Sequence, residues 1–149
     1  MKGYLPVILF SQYINMSLDQ DLIKILIGIS CVLGHVYPIF YSFKGGKGAG
    51  TLLGVIAAIF PSSISLVFSI WILVLIFTGY VGLSTIFAGL ALVVSTYFWY
   101  SPGIYSAFGF FTILISIFLI FTHRSNISRM IEGKENQFQK VMILSLIHI

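Results

Sequence analysis

Charge is what this chain has least of. Only 8% of its 149 residues are Asp, Glu, Lys or Arg, and none of these, nor any His, occurs from Gly48 to Thr122. A soluble domain carries about 25% charged residues. A chain this small leaves much of its surface uncovered, so it cannot hide a composition that is 58% hydrophobic, with a mean hydropathy of +1.05, from water. A water-soluble fold is excluded; lipid is the solvent that suits the composition. Cysteine is nearly absent too. The single Cys31 excludes an internal disulfide framework and a multi-cysteine zinc site, and reads as a small apolar residue inside a helix. The three histidines (His35, His123, His148) are scattered, with no acid near His35. No metal site, cofactor or nucleic-acid partner is expected. Nucleotide loops are missing as well. In the frame of G-x-x-x-x-G-K-[ST], Gly48 follows Lys47 and Tyr41 takes the place of the first glycine; no G-x-G-x-x-G occurs.

What charge there is gathers in two places. Lys44 and Lys47 form one cluster; Arg124, Arg129 and Lys134 form the other. Basic residues flanking apolar spans favour the cytoplasmic side. The opposite pole is assigned to Asn15–Asp21, which holds two of the four acids, with Lys24 just past it as the one basic residue against the assignment. Between these points the sequence predicts an all-α, polytopic transmembrane bundle of about six segments. These are a short apolar stretch Lys2–Ile14, then Leu22–Phe43, Thr51–Phe60, Ser62–Thr78, Tyr80–Tyr100 and Pro102–Phe121. Lys2 before an apolar run also suits a signal peptide, but no small-x-small cleavage site follows. Pro61-Ser62-Ser63 divides an apolar interval that is overlong for one helix. Pro38 ends or kinks its span, and Pro102 suits a first helical turn. Tyr97, Phe98, Trp99, Tyr100 and Tyr105 read as an interfacial aromatic group. Four crossings between Lys47 and His123 return the chain to the side it left, so the two basic clusters can share one site.

The first cluster lies in Gly34–Thr51, GHVYPIFYSFKGGKGAGT. Four glycines and two lysines in the seven residues Lys44–Gly50 read as an anion site. Glycine lets the backbone take positive φ and turn N–H groups toward one concavity, a helix starting near Gly50 adds its N-terminal dipole, and Lys44 and Lys47 supply point charges. The plain alternative is a loop that only fixes orientation in the membrane. His35 is either a hydrogen-bonded helix end or a group facing the site. The second cluster lies in His123–Glu135, HRSNISRMIEGKE. His123 and Asn126, three apart, share a face if the helix continues outward. His123 can act as a base or donor and Asn126 as donor and acceptor, while Arg124 and Arg129 can grip a phosphate. Here the alternative is a basic stop sequence after a last span.

Taken together, the two stretches resemble the acyl-phosphate:glycerol-3-phosphate acyltransferases (the PlsY family). Gly34, His35, Pro38, Phe40, Phe43 and Lys44–Gly48 fit that family's GHxFPxFxxFKGGKGxAT motif, with Tyr37 where Phe is usual and Gly50 where Ala is usual. His123, Arg124, Asn126, Ile127, Arg129, Gly133 and Glu135 fit HRxNIxR followed by GxE. The resemblance covers residues 2–135 and implies a seven-helix family fold with about six segments present here. It implies transfer of an acyl group from acyl phosphate to the first hydroxyl of glycerol 3-phosphate, at the cytoplasmic face of a bacterial inner membrane. Lys44, Gly45, Gly46, Lys47 and Gly48, with Arg124 and Arg129, would hold phosphates; His123 and Asn126 would stand nearest the chemistry; His35 and Glu135 would support them. No metal or covalent intermediate is required.

Departures accompany the likeness. The family's first transmembrane helix, and a loop like SGNxGxTNxxR whose Ser and Arg belong to its active site, have no counterpart here. Gly79 and Gly82 stand where Arg and Ser are expected. The tail from 136 to 149 does not resemble the family, and its LSLIHI resembles translated sequencing-adapter read-through. The chain is therefore expected to be one acyltransferase domain, residues 1–135, of a longer protein. Acyl-CoA enzymes carry HxxxxD, whereas Phe40 and Ser128 occupy that offset from His35 and His123. The rival from another class is a non-enzymatic membrane protein or transporter subunit, which would place polar groups along a path through the spans.

Overall fold

The computed structural model describes residues 2–14 and 19–138; Asn15–Leu18 of the acid-bearing loop, and 139–149 with His148, lie outside the described residues. Among the described residues the chain is helical, without strands. The helices are α1 (Tyr4–Tyr13), α2 (Gln20–Val36), α3 (Ala49–Ile59), α4 (Ile64–Thr78), α5 (Val81–Trp99), α6 (Ala107–Thr122) and α7 (Arg124–Ile131). Three stretches are long and apolar enough to cross a membrane: Gln20–Tyr41, Pro61–Thr78 and Val81–Trp99. Helix α6 passes the same test only when taken together with α7, from which it is bent by 51°. The protein is a multi-pass membrane protein.

Local chemistry explains the boundaries. Asp19 caps α2 by accepting from the Asp21 N–H at 3.0 Å. That helix ends at Val36, earlier than the expected Phe43, because Pro38 opens a 3-10 turn over Ile39–Tyr41. A second 3-10 turn, Pro61–Ser63, separates α3 from α4, as the Pro-Ser-Ser signal requires. The last long helix departs from expectation. Pro102 sits in the preceding turn, and α6 begins at Ala107 because the Ser106 hydroxyl caps it by accepting from the Gly109 N–H at 3.1 Å. A proline suits a first turn, but a serine with a reachable N–H decides where that turn lies.

Helix α5 is the axis of the bundle, with nine buried residues, whereas α4 buries only Leu75 and turns its remaining apolar surface outward. Buried hydroxyls in this low-dielectric interior are satisfied by carbonyls one turn back, as for Thr96 on Leu92 at 2.9 Å. Ser116 also reaches across to the Gly89 carbonyl at 2.8 Å, tying α6 to α5. At the pole away from the basic clusters, Phe60, Tyr100 and Phe108 pack edge-on and tilted, with ring centroids 4.6 to 6.0 Å apart. Tyr100 thus leaves the interfacial aromatic group and donates to Asp21 at 3.1 Å, while Tyr97, Phe98, Trp99 and Tyr105 are exposed.

Candidate active site

The turn after α2 reaches the site by packing against the helix it has just left. Gly45 N–H donates to the Val36 carbonyl at 3.1 Å and Gly46 N–H to the His35 carbonyl at 3.3 Å. A Cβ on Gly45 would collide with the His35 carbonyl, and one on Gly46 would lie 2.5 Å from His35 Nε2. These glycines allow close approach of the turn to α2, and their N–H groups are already engaged. This differs from the concavity of free N–H groups expected from the glycine run. Gly48 does adopt φ +85°, reversing the chain into α3. The first turn of α3 has no side-chain cap, so its leading N–H groups lack intrahelical partners, and Gly48, Ala49 and Gly50 border an open space.

That space is a polar recess of about 300 Å³, walled by His35, Lys47, Gly48, Gly82, His123 and Asn126. Four helices separate Lys47 from His123 along the chain, yet Lys47 Nζ donates to Asn126 Oδ1. Asn126 Nδ2 donates in turn to Glu135 Oε1 at 2.6 Å, and Arg129 Nε pairs with Glu135 Oε2 at 2.6 Å. Because lysine can only donate and a carboxylate can only accept, the two partners fix which way the amide faces. Thr122 adds a second tie, donating to the Lys47 carbonyl at 3.1 Å. His123 is 4% exposed, at the bend between α6 and α7 rather than on one continuing helix. Its Nδ1 lies 2.8 Å from the Leu119 carbonyl, which requires Nδ1 to carry the proton and leaves Nε2 as an acceptor.

The electrostatics follow from burial. Desolvation, with help from the Lys47 charge and against the Leu119 hydrogen bond, holds His123 below the usual histidine range, so the neutral ring is favoured. Burial also lowers Lys47, with Arg129 assisting and Glu135 opposing. Glu135 is held low chiefly by its bond to Arg129.

The other expected residues lie elsewhere. Lys44, Gly45 and Gly46 face a separate recess of about 620 Å³ together with Lys2 and the other side of His35. Arg124 turns outward, stacking over Phe121 at 4.3 Å and donating to its carbonyl. Arg129 reaches the recess only through Glu135. Beyond Glu135, the end of the second motif, the chain runs back over the α4–α5 turn, where the Phe138 N–H donates to the Gly79 carbonyl at 2.8 Å.

An apolar groove of about 320 Å³ adjoins the polar recess, and the two share Ala49, Gly50, Val81 and Thr85 as common walls. At this neck Trp71 Nε1 donates to Thr85 Oγ1 at 3.3 Å. Sequence reasoning missed Thr85, Trp71 and Thr122. Thr122 was the most findable, a hydroxyl immediately before the His-Arg pair.

The family model described as glycerol-3-phosphate acyltransferase matches residues 1–133. The chain belongs to the glycerol-3-phosphate acyltransferase family. Its curated relatives include the glycerol-3-phosphate acyltransferases of Fusobacterium nucleatum, 36% identical over 93% of this chain and 68% of that protein, and of Aquifex aeolicus, 33% identical over 93% and 69%. A crystal structure of PlsY (YgiH), an integral membrane glycerol 3-phosphate acyltransferase, in its glycerol 3-phosphate form superposes with a TM-score of 0.76 and 33% identity, over 91% of this chain and 65% of that one. Its lysophosphatidic acid form gives 0.75 and 32%, over 91% and 66%. The chain spans about two thirds of the length of these proteins.

Proposed function

We propose that this chain transfers a fatty acyl group from acyl phosphate to the first hydroxyl of glycerol 3-phosphate, releasing 1-acylglycerol 3-phosphate and inorganic phosphate. The observation that carries the proposal is the shared wall between a cationic recess and an apolar groove. One substrate is a charged sugar-alcohol phosphate and the other joins a greasy chain to a phosphate. Only a site with both surfaces in contact can bring them together. The relatives' names, and the glycerol 3-phosphate and lysophosphatidic acid named for the two PlsY crystal forms, support the polar acceptor and an acylated product.

The chemistry asks for little beyond placement. An acyl phosphate is already activated, so positioning and charge stabilisation carry the reaction. Lys47 and the N–H groups opening α3 would hold a phosphate oxygen. Asn126 keeps Lys47 in place. His123 Nε2 is a free acceptor for the hydroxyl proton as the hydroxyl oxygen attacks the carbonyl carbon. The carbon–oxygen bond to phosphate then breaks, and phosphate leaves with the bonding pair. Lys44, Gly45 and Gly46 would act from outside this recess through the turn, and Arg129 through the Glu135 bridge, while Arg124 stays outside on Phe121. The basic clusters would place this pole at the cytoplasmic face of a bacterial inner membrane.

The test is acylation of labelled glycerol 3-phosphate by the purified chain in lipid, with acyl phosphate as sole donor and no CoA. Product is expected with acyl phosphate and absent with acyl-CoA. Strict dependence on acyl-CoA would overturn the donor assignment. Activity undiminished by both Lys47→Met and His123→Ala would overturn the site.

A further inference from the structure

The apolar groove has a closed end, and that end gives it a length. Along α3 and α5 its walls come in three levels, each about one helical turn apart: Gly50 and Thr85 at the neck, Leu53 and Ala88 below them, and Ile56 and Leu92 at the bottom. Helix α4 closes the side with Trp71 by the neck and Phe68 and Val67 further along. The eleven steps from Val81 to Leu92 along α5 correspond to about 16 Å at ~1.5 Å per residue. Ile56 and Leu92 are each only 2% exposed. Both belong to the same packed core as Phe60 and Phe108, whose rings stand 6.0 Å apart beyond them. No room remains past Leu92 inside the bundle.

We propose that Ala88 and Leu92 set the acyl-chain length this protein accepts: Ala88 keeps the middle level open, and Leu92, with Ile56, is the stop. This rests on the acyltransferase reading and deepens it by naming the residues that select the donor. The groove volume of 320 Å³ holds roughly ten groups of the size of a water or a methylene, at about 30 Å³ each. A chain of that length fills the groove with its carbonyl at the neck. A longer one must bend out over Leu53 and Phe68, which are 39% and 49% exposed on the groove's lip, and gains nothing further from the protein.

The test uses the full chain in lipid nanodiscs and a series of n-alkylphosphonates from octyl to hexadecyl. Binding is read from the fluorescence of Trp71 and corrected for partitioning into empty nanodiscs; Trp71→Phe is the signal control. With lipid as the reference after that correction, affinity should rise with each methylene that packs against the groove wall and level off once the groove is full. Ala88→Leu should move the break to a shorter chain and weaken the longest ligands about tenfold or more, the cost of misfit in an apolar pocket. Leu53→Phe, at the exposed lip, should shift it the same way without disturbing the core.

An affinity that climbs with length to the end of the series, or a break at the same length in all variants, would overturn the ruler. The acylation assay separates the two readings. A break in binding without acylation of glycerol 3-phosphate leaves the ruler and removes the enzyme. Acylation whose length profile is unmoved by Ala88→Leu does the reverse.

Discussion

Lys44 and Lys47 stand three residues apart in one glycine-rich turn and open onto different spaces. Lys47 meets Asn126 in the recess that also holds His123. Lys44 faces away, toward Lys2 and the far side of His35. The wall between them is the Gly45–Gly46 segment, laid so close to the end of α2 that its N–H groups are spent on the His35 and Val36 carbonyls. A run of glycines beside lysines is thus two devices in succession. The first pair lets the backbone approach a helix, and Gly48 turns it into the next one.

That contrast can be broken in a few ways, the largest effect first. Lys47→Met should reduce kcat for acyl transfer by about 10²–10³, the range for losing one preorganised charge-stabilising donor. Asn126→Ala should do nearly as much, since it frees Lys47 and leaves Glu135 held by Arg129 alone. Lys44→Gln in the same assay should cost less than about tenfold. Equal losses at the two lysines would mean that both serve one phosphate.

The glycines separate by stability rather than rate. Gly45→Ala should destabilise the protein by about 1–3 kcal/mol, the usual cost of forcing atoms into a filled space, because its Cβ meets the His35 carbonyl. Gly50→Ala, with nothing within 4 Å of its Cβ, should leave thermal unfolding unchanged or slightly improved.

The pH dependence follows from His123. Its folded-state pKa lies below the ordinary value near 6.5, so the neutral ring persists as pH falls toward and past that value. Activity should therefore fall only on the acid side, with an apparent pKa below about 6.5 that disappears in His123→Gln. The unfolded chain binds that proton more readily, so stability too declines as pH drops through this window. Glu135, held low by Arg129, loses its contribution in the same direction at lower pH. Smallest of all, Arg124→Ala should change kcat/KM by less than about twofold, since its contacts are with Phe121 on the outer surface.

Much of this was legible in the sequence. The charge-free interval from Gly48 to Thr122 required lipid, and Pro38 and Pro61 marked real breaks because an absent N–H and a fixed φ act locally. The motif residues marked the acyltransferase family. Helix starts were less legible: Pro102 and Ser106 both carry start signals, and only the hydrogen bond to Gly109 chose between them.

Chain order and residue type determined that this protein lives in membrane, that its charge lies in two clusters, and that lysine, glycine, histidine and asparagine stand in them, since solvation and local backbone preference are properties of each residue in its own stretch. Which lysine meets Asn126, which nitrogen of His123 is free, and where the acyl groove stops were decided only by the packing of α3, α4, α5 and α6. Those are distances between residues dozens of positions apart, and no local pattern encodes them.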